Sequence, residues 1–198
     1  MKSSESKQDP REIKTIGSIY EAFLLMISKK SFAEITVRSI CECARISRST
    51  FYDHFEDKYD MLKKLLKYLT DDIARDFVYF GEDTPAAEPM LVLNEKYSSL
   101  FREIFFNPEN AIMRDIDQEV ISLDIAEKIM CYHGKVGTAY GNVRPEVKVT
   151  ANFYAGGIMA VMKLWAGRKS ELSQKEMAEA IRLLLRDMHN KCIRISDP

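Results

Sequence analysis

Ile35-Thr36-Val37-Arg38-Ser39-Ile40-Cys41-Glu42-Cys43-Ala44-Arg45-Ile46-Ser47-Arg48-Ser49-Thr50-Phe51-Tyr52-Asp53-His54-Phe55-Glu56-Asp57-Lys58 is the stretch that decides the fold. It reads as two short helices joined by a tight turn. Thr36 is placed to accept a hydrogen bond from a free backbone N–H, after which Val37, Ile40, Cys41 and Ala44 recur at i, i+3, i+4 and i+7. One face of that helix is expected to be buried. Ser47 is placed to cap the second helix, whose apolar pair Phe51 and Phe55 stands four apart while Arg48, Ser49, Thr50 and Asp53 fall off the stripe. A short helix anchored by aromatics and carrying polar groups at its start suits the DNA major groove, where base edges offer acceptors and donors.

The pattern Thr36-Val37-Arg38-x-Ile40-x-x-x-Ala44-x-Ile46-Ser47-x-x-Thr50-Phe51-Tyr52-x-His54-Phe55-x-x-Lys58-x-x-Met61-Leu62 resembles the N-terminal helix-turn-helix of TetR/AcrR-type transcriptional regulators. The likeness runs from about residue 11 to residue 62. It implies an all-α protein with an N-terminal three-helix DNA-binding domain over residues 1–57, its helix-turn-helix at about 36–55. A C-terminal helical ligand-binding and dimerisation domain is implied over residues 58–198. By the same resemblance Arg38, Ser47, Arg48 and Ser49 reach bases or nearby backbone, and Thr36, Thr50, Tyr52, His54 and Lys58 touch phosphates. Hydroxyls and cations suit phosphate oxygens, and Arg suits the N7 and O6 acceptors of guanine. In one place the sequence departs from the family pattern: Arg45 stands where Gly is usual. Gly reaches left-handed backbone angles at little cost, so Arg45 is mildly strained if it adopts them. Its side chain either reaches a phosphate or is a tolerated surface group.

Bulk composition agrees with an ordinary folded domain. The 198 residues can bury a real core, and 46% hydrophobic with 30% charged residues excludes disordered and collagen-like classes. With eight Gly and six Pro, long helices are permitted. The net charge of −1 excludes a protein that simply coats DNA, so specific geometry must do more than bulk field. Met1 to Asp9 has no apolar h-region and no run is long enough to span a bilayer, so a cytoplasmic protein without a membrane partner is expected. Cys41, Cys43, Cys131 and Cys192 lack the spacing of a disulfide framework and read as core or flank residues.

Outward from the motif, helical patterns follow one another. Pro10 opens a helix to about Lys30 with a stripe of Ile13, Ile16, Tyr20, Phe23 and Ile27. Lys58 to about Phe80 forms the helix that links the reading head to the rest. Gly81 to Pro89 reads as a loop, Met90 to Phe106 as a helix, Glu109 to Asp115 as a short helix and Ile116 to Tyr132 as another. Three glycines between His133 and Asn142 predict a further loop. Pro145 to Ala166 carries the small residues Ala155, Gly156, Gly157 and Ala160. Ser173 to Cys192 opens with a Ser173-x-x-Glu176 capping box. Two helices of this kind can pair with their copies in a second chain.

No catalytic constellation is found. Gly134-Lys135-Val136-Gly137 lacks the spacing of a phosphate loop, and His133 and His189 have no metalloprotease partner, so neither an enzyme, a cofactor nor a metal site is expected. The reading is a homodimeric transcription factor on a palindromic double-stranded operator, a repressor released by a small apolar or amphipathic effector. Tyr97, Phe101, Phe105, Met130, Phe153, Met159, Met162 and Trp165 are candidate pocket residues. The alternatives are an activator, or a regulator that answers to a protein partner or to cysteine oxidation.

Overall fold

Asp9 and Pro10 start the first helix: the Asp9 carboxylate accepts from the Arg11 N–H at 2.9 Å, and Pro10 fills a position that needs no donor. The computed structural model describes residues 9–77, 95–132, 144–167, 171–173 and 175–184, with backbone alone at 72–77 and 128–132. Among the described residues the secondary structure is helical, with no strand. The order is α1 (Pro10–Ile27), a 3-10 turn η1 (Phe32–Glu34), α2 (Val37–Ala44), α3 (Arg48–Tyr52), α4 (Lys58–Phe77), α5 (Ser98–Phe106), α6 (Ala111–Tyr132) and α7 (Pro145–Ala166). Residues 175–184 are also helical. The chain divides into two compact units, Met1–Leu62 and Lys63–Pro198.

In the first unit α1 packs on α2 around Ile19, Ala22, Phe23, Ile27, Phe32, Ile35, Ile40, Cys41, Phe51 and Phe55, all buried. Aromatic rings tie these elements together. Phe51 and Phe55 lie 5.3 Å apart between centroids, Tyr20 meets Phe55 at 5.9 Å, and Phe23 meets Phe32 edge-on at 6.0 Å. The expected start of the α1 stripe is wrong: Ile13 is 55% exposed, and Ile19 and Ala22 take the core positions instead. The helix also ends at Ile27 rather than near Lys30, with Ser28 as its C-cap.

Both predicted caps form. Thr36 Oγ1 accepts from the Ser39 N–H at 3.1 Å, and Ser47 Oγ accepts from the Thr50 N–H at 3.0 Å. Between them Arg45 takes φ 56° and ψ 44°, the left-handed conformation, and its N–H closes α2 on Cys41 and Glu42 carbonyls. Its Cβ is crowded in that conformation, so Arg45→Gly is expected to raise stability by roughly 0.5–1 kcal/mol in urea unfolding. An unchanged or lower midpoint would mean that contacts of the guanidinium repay the strain.

In the second unit α6 packs on α7, and α5 packs on both. Leu100, Phe101, Ile104, Phe105, Met113, Val120, Ile125, Ala126, Val147, Ala151, Ala155 and Met162 form its buried core. Lys63 and Lys67 on α4 meet Glu119 and Glu127 of α6 at 2.6 and 3.5 Å. Two sequence expectations are corrected here. The helix expected to begin at Met90 has a turn at Tyr97 before α5, and the two helices expected across 109–132 are one continuous helix, α6. The break falls earlier, at Asn107 to Asn110, where Asn107 and Asn110 side-chain amides both donate to Glu103 and Arg114 donates to the Asn107 carbonyl at 2.8 Å. The capping box at Ser173 is formed: its N–H and hydroxyl both donate to Glu176, at 2.8 and 2.6 Å, which holds that carboxyl below its usual range. The expected loops at 81–89 and 133–142, residues 185–192, His133, His189 and the side chains of Ile73, Phe77, Met130, Cys131 and Cys192 lie outside what is described.

Candidate nucleic-acid interface

Phe51 and Phe55 are buried, so α3 is seated by one side and the residues between and before them face outward. Ser47, Arg48, Ser49 and Tyr52 are exposed and Thr50 is half-buried. Ser47 Oγ and Thr50 Oγ1 lie 2.8 Å apart, which fixes both hydroxyls at the helix start. The Arg48 guanidinium leans on Tyr52: Nη2 donates to the phenol oxygen at 3.4 Å and Cζ sits 5.8 Å from the ring centroid. This contact holds Arg48 along the outer face of α3. Ser49, the next residue, is exposed.

The flanking residues divide into two groups. On α2, Arg38 Nε donates to Glu42 Oε1 at 2.8 Å with both side chains well exposed, and this bond raises the guanidinium pKa above its ordinary value. Such a surface pair is weak and exchanges readily for a stronger anion. Thr36 is exposed at the N-cap of α2. His54, by contrast, is mostly covered, with Nδ1 3.9 Å from Glu12 Oε1 and its ring against Phe55 at 6.3 Å. Lys58 is turned inward as well, donating to the Phe32 and Ile35 carbonyls at 2.9 and 2.8 Å. Thus Thr36, Arg38, Ser47, Arg48, Ser49 and Tyr52 are exposed on the helix-turn-helix and Thr50 is half-buried at its edge, while His54 and Lys58 are engaged with the protein itself.

Cys41 is buried, which pushes its thiol pKa up, and Cys43 is exposed on the other side of α2. Among the described residues no group of three His, Cys, Asp or Glu side chains is placed to hold a metal. No helix is long and apolar enough to cross a membrane, the described residues alone being considered.

The second unit holds an apolar groove of about 290 Å³ lined by Phe153, Tyr154, Gly157, Ile158, Val161, Met162, Ile181 and Leu184. Of the candidate pocket residues, Phe153 and Met162 line it. Phe101 and Phe105 are core residues stacked on each other at 5.9 Å, and Tyr97, Met159 and Trp165 are not part of this groove. Sequence reasoning missed Tyr154, Gly157, Ile158, Val161, Ile181 and Leu184 as lining residues, although Tyr154, Gly157, Ile158 and Val161, and likewise Ile181 and Leu184, stand three or four apart.

A short polar helix mounted on buried aromatics, preceded by a capped helix and a left-handed turn, defines a helix-turn-helix DNA-binding domain. Residues 17–65 match the family model for bacterial regulatory proteins of the tetR family. The chain is 31% identical over 67 residues to the uncharacterized HTH-type transcriptional regulator YxbF of Bacillus subtilis (strain 168), a stretch covering 33% of this chain and 18% of that protein. The chain thus spans about a fifth of the length of the curated relative it matches. Among solved structures, Lin0861 from Listeria innocua superposes with a TM-score of 0.65 at 20% identity, covering 91% of this chain and 93% of that one. The fatty acid degradation regulator FadR from Bacillus halodurans superposes with a TM-score of 0.55 at 15% identity, covering 91% and 97%. At these identities the two structures share the fold alone. The likeness to the tetR family is carried by the N-terminal residues 17–65, about a quarter of the chain.

Proposed function

We propose that the chain is a dimeric repressor that binds a palindromic operator through the outer surface of α2 and α3 and is released by a small apolar or amphipathic effector. The observation that carries this reading is the set of Ser47, Arg48, Ser49, Thr50 and Tyr52 held outward over buried Phe51. Arg48 and Ser49 are assigned to base edges together with Arg38 and Ser47. Thr36, Thr50 and Tyr52 are assigned to phosphates, as is His54, whose Nδ1 lies 3.9 Å from Glu12 Oε1. Contacts to phosphate position the head, and contacts to bases select the sequence.

Pairing of two chains is assigned to the face that carries the groove. Phe153 is 75% exposed, Val149 70% and Leu184 58%, and a Cβ added at Gly156 or Gly157 would meet nothing within 4 Å. An apolar face with space over its glycines suits a second helix pair at close approach, and a self-complementary two-fold contact would place two reading heads on two half-sites. An effector that prefers a dimer with its heads wrongly spaced would shift the population off DNA.

Selection of binding sites from random duplex DNA tests the reading. Enrichment of an inverted repeat, with affinity for scrambled DNA far lower at matched salt, is the expected result, and enrichment of no sequence would overturn it. On the selected site Arg48→Ala is expected to cost about 1–3 kcal/mol and to relax preference at one base position. Equal loss on selected and scrambled DNA would reassign Arg48 to the phosphates. Repression or activation is read from a reporter carrying the selected site, with and without added amphipaths.

A further inference from the structure

The Lys58 side chain is turned into the protein and bonds to backbone carbonyls. It stands at the first position of α4, in the first unit, and reaches back across the sequence to η1. Its ammonium donates to the Ile35 carbonyl at 2.8 Å and the Phe32 carbonyl at 2.9 Å, and lies 3.5 Å from the Ala33 carbonyl. The same nitrogen sits 4.5 Å from the centroid of the Phe32 ring and 5.5 Å from that of Tyr59, and those two rings meet edge-on at 5.5 Å. An ammonium has three N–H donors, and three carbonyls surround this one. Burial also lowers the Lys58 pKa, as expected for a cation drawn partly out of water.

The carbonyls concerned lie just before α2. Ile35 precedes Thr36, whose hydroxyl caps α2, and α2 runs through the left-handed Arg45 into α3. At the other end Asp57 accepts from the Tyr59 and Asp60 N–H groups at 2.8 Å each, which fixes the first turn of α4. One side chain therefore joins the start of α4 to the start of α2. To reach a DNA phosphate, Lys58 would have to give up at least one short bond to a carbonyl and leave the ring.

We propose that Lys58 is a positioning residue of the DNA-binding surface: its ammonium clamps the carbonyls of the η1 turn to the first turn of α4, fixes the N-cap of α2, and makes no phosphate contact. The proposal rests on the DNA-binding reading above. It predicts that Lys58 acts on recognition through the placement of α2 and α3.

The test is Lys58→Met, which keeps most of the stem over Phe32 and removes the donors. On the selected operator the affinity falls at least about tenfold, the size of one lost base contact, while binding to scrambled DNA changes little. The slope of log affinity against log salt is unchanged. A phosphate contact gives a different result: the slope falls by about 0.9, selected and scrambled DNA weaken alike, and the difference fades at high salt. That outcome overturns the proposal, as does a variant that binds both DNAs like wild type. Where the variant does not fold, the 15N resonance of the Lys58 ammonium in wild-type protein decides. Its retention on binding the selected duplex supports the clamp, and its displacement with coupling to DNA phosphorus overturns it. Should wild-type protein select no duplex, the DNA-binding reading is what fails. The clamp is then read from amide exchange of residues 35–40, which speeds up in the variant if the clamp is real and stays as in wild type if it is not.

Discussion

Phe153→Asp combined with Leu184→Asp is expected to convert the protein to a monomer and to weaken binding to the selected operator by at least about 100-fold. Both side chains are largely exposed in the single chain, so the carboxylates are solvated there and each protomer keeps its fold. In a two-fold contact every substitution enters twice, which places four carboxylates against an apolar groove. An unpaired charge buried in such a place costs several kcal/mol, and like charges across the axis add to that. The loss on DNA follows from linkage. With two heads joined, the second half-site is met at high effective concentration, and separating the heads removes that gain without touching any residue of α3. Sedimentation measures the mass and anisotropy the affinity. A variant that stays dimeric would place the pairing elsewhere. A wild-type protein that is already monomeric would end the two-head mechanism and turn the groove into a site for a different partner. Gly157→Ala is the complementary probe, since a Cβ there meets nothing within 4 Å in the single chain and is crowded under a close partner helix.

The helix-turn-helix was legible because its signals are local. Thr36, Ser47 and the pair Phe51 and Phe55 act within one turn of themselves, and the structure places each in the role that capping and spacing assigned. Arg45 was also readable, since the chain has to reverse there whichever residue is present. The stripe of α1 was misread at its start for a different reason. Ile13, Ile16, Tyr20, Phe23 and Ile27 fit the helical period as well as Ile19 and Ala22 do, and only the position of the packed neighbours decides which turn is covered. The clamp at Lys58 was hidden because its partners lie 23 to 26 residues away. A pattern that matches a phosphate-contacting position carries no record of such a contact. In the second unit, the false break inside α6 has its own cause: Asp115 and Asp117 interrupt the apolar pattern, and a buried Asp117 is not expected from period alone.

That same Asp117 gives the last prediction. It is 4% exposed, and among the described residues neither its Oδ2 nor the buried Ser122 Oγ further along α6 has a hydrogen-bond partner. Removal from water penalises the charged carboxylate, so its pKa is pushed up from 3.8 to about 7. Between those two values the folded protein holds a proton that the unfolded chain has released. Stability therefore falls as pH rises across that window, by about 1.4 kcal/mol per pH unit and by about 4 kcal/mol in all. The contribution is fully present below the unfolded pKa and is lost once pH passes the folded one, after which the curve is flat again. Asp117→Asn cannot ionise and keeps the shape of the side chain. It is expected to match wild type at about pH 4 and to exceed it by roughly 2–4 kcal/mol at about pH 8, measured by urea unfolding at each pH. Parallel curves for the two proteins would show that Asp117 ionises in the folded state at no cost, which requires a partner for Oδ2. Asp117→Leu separates the two parts of the penalty. It removes the pH dependence as Asn does, and any further gain at about pH 4 measures what an unpaired neutral carboxyl costs in that core.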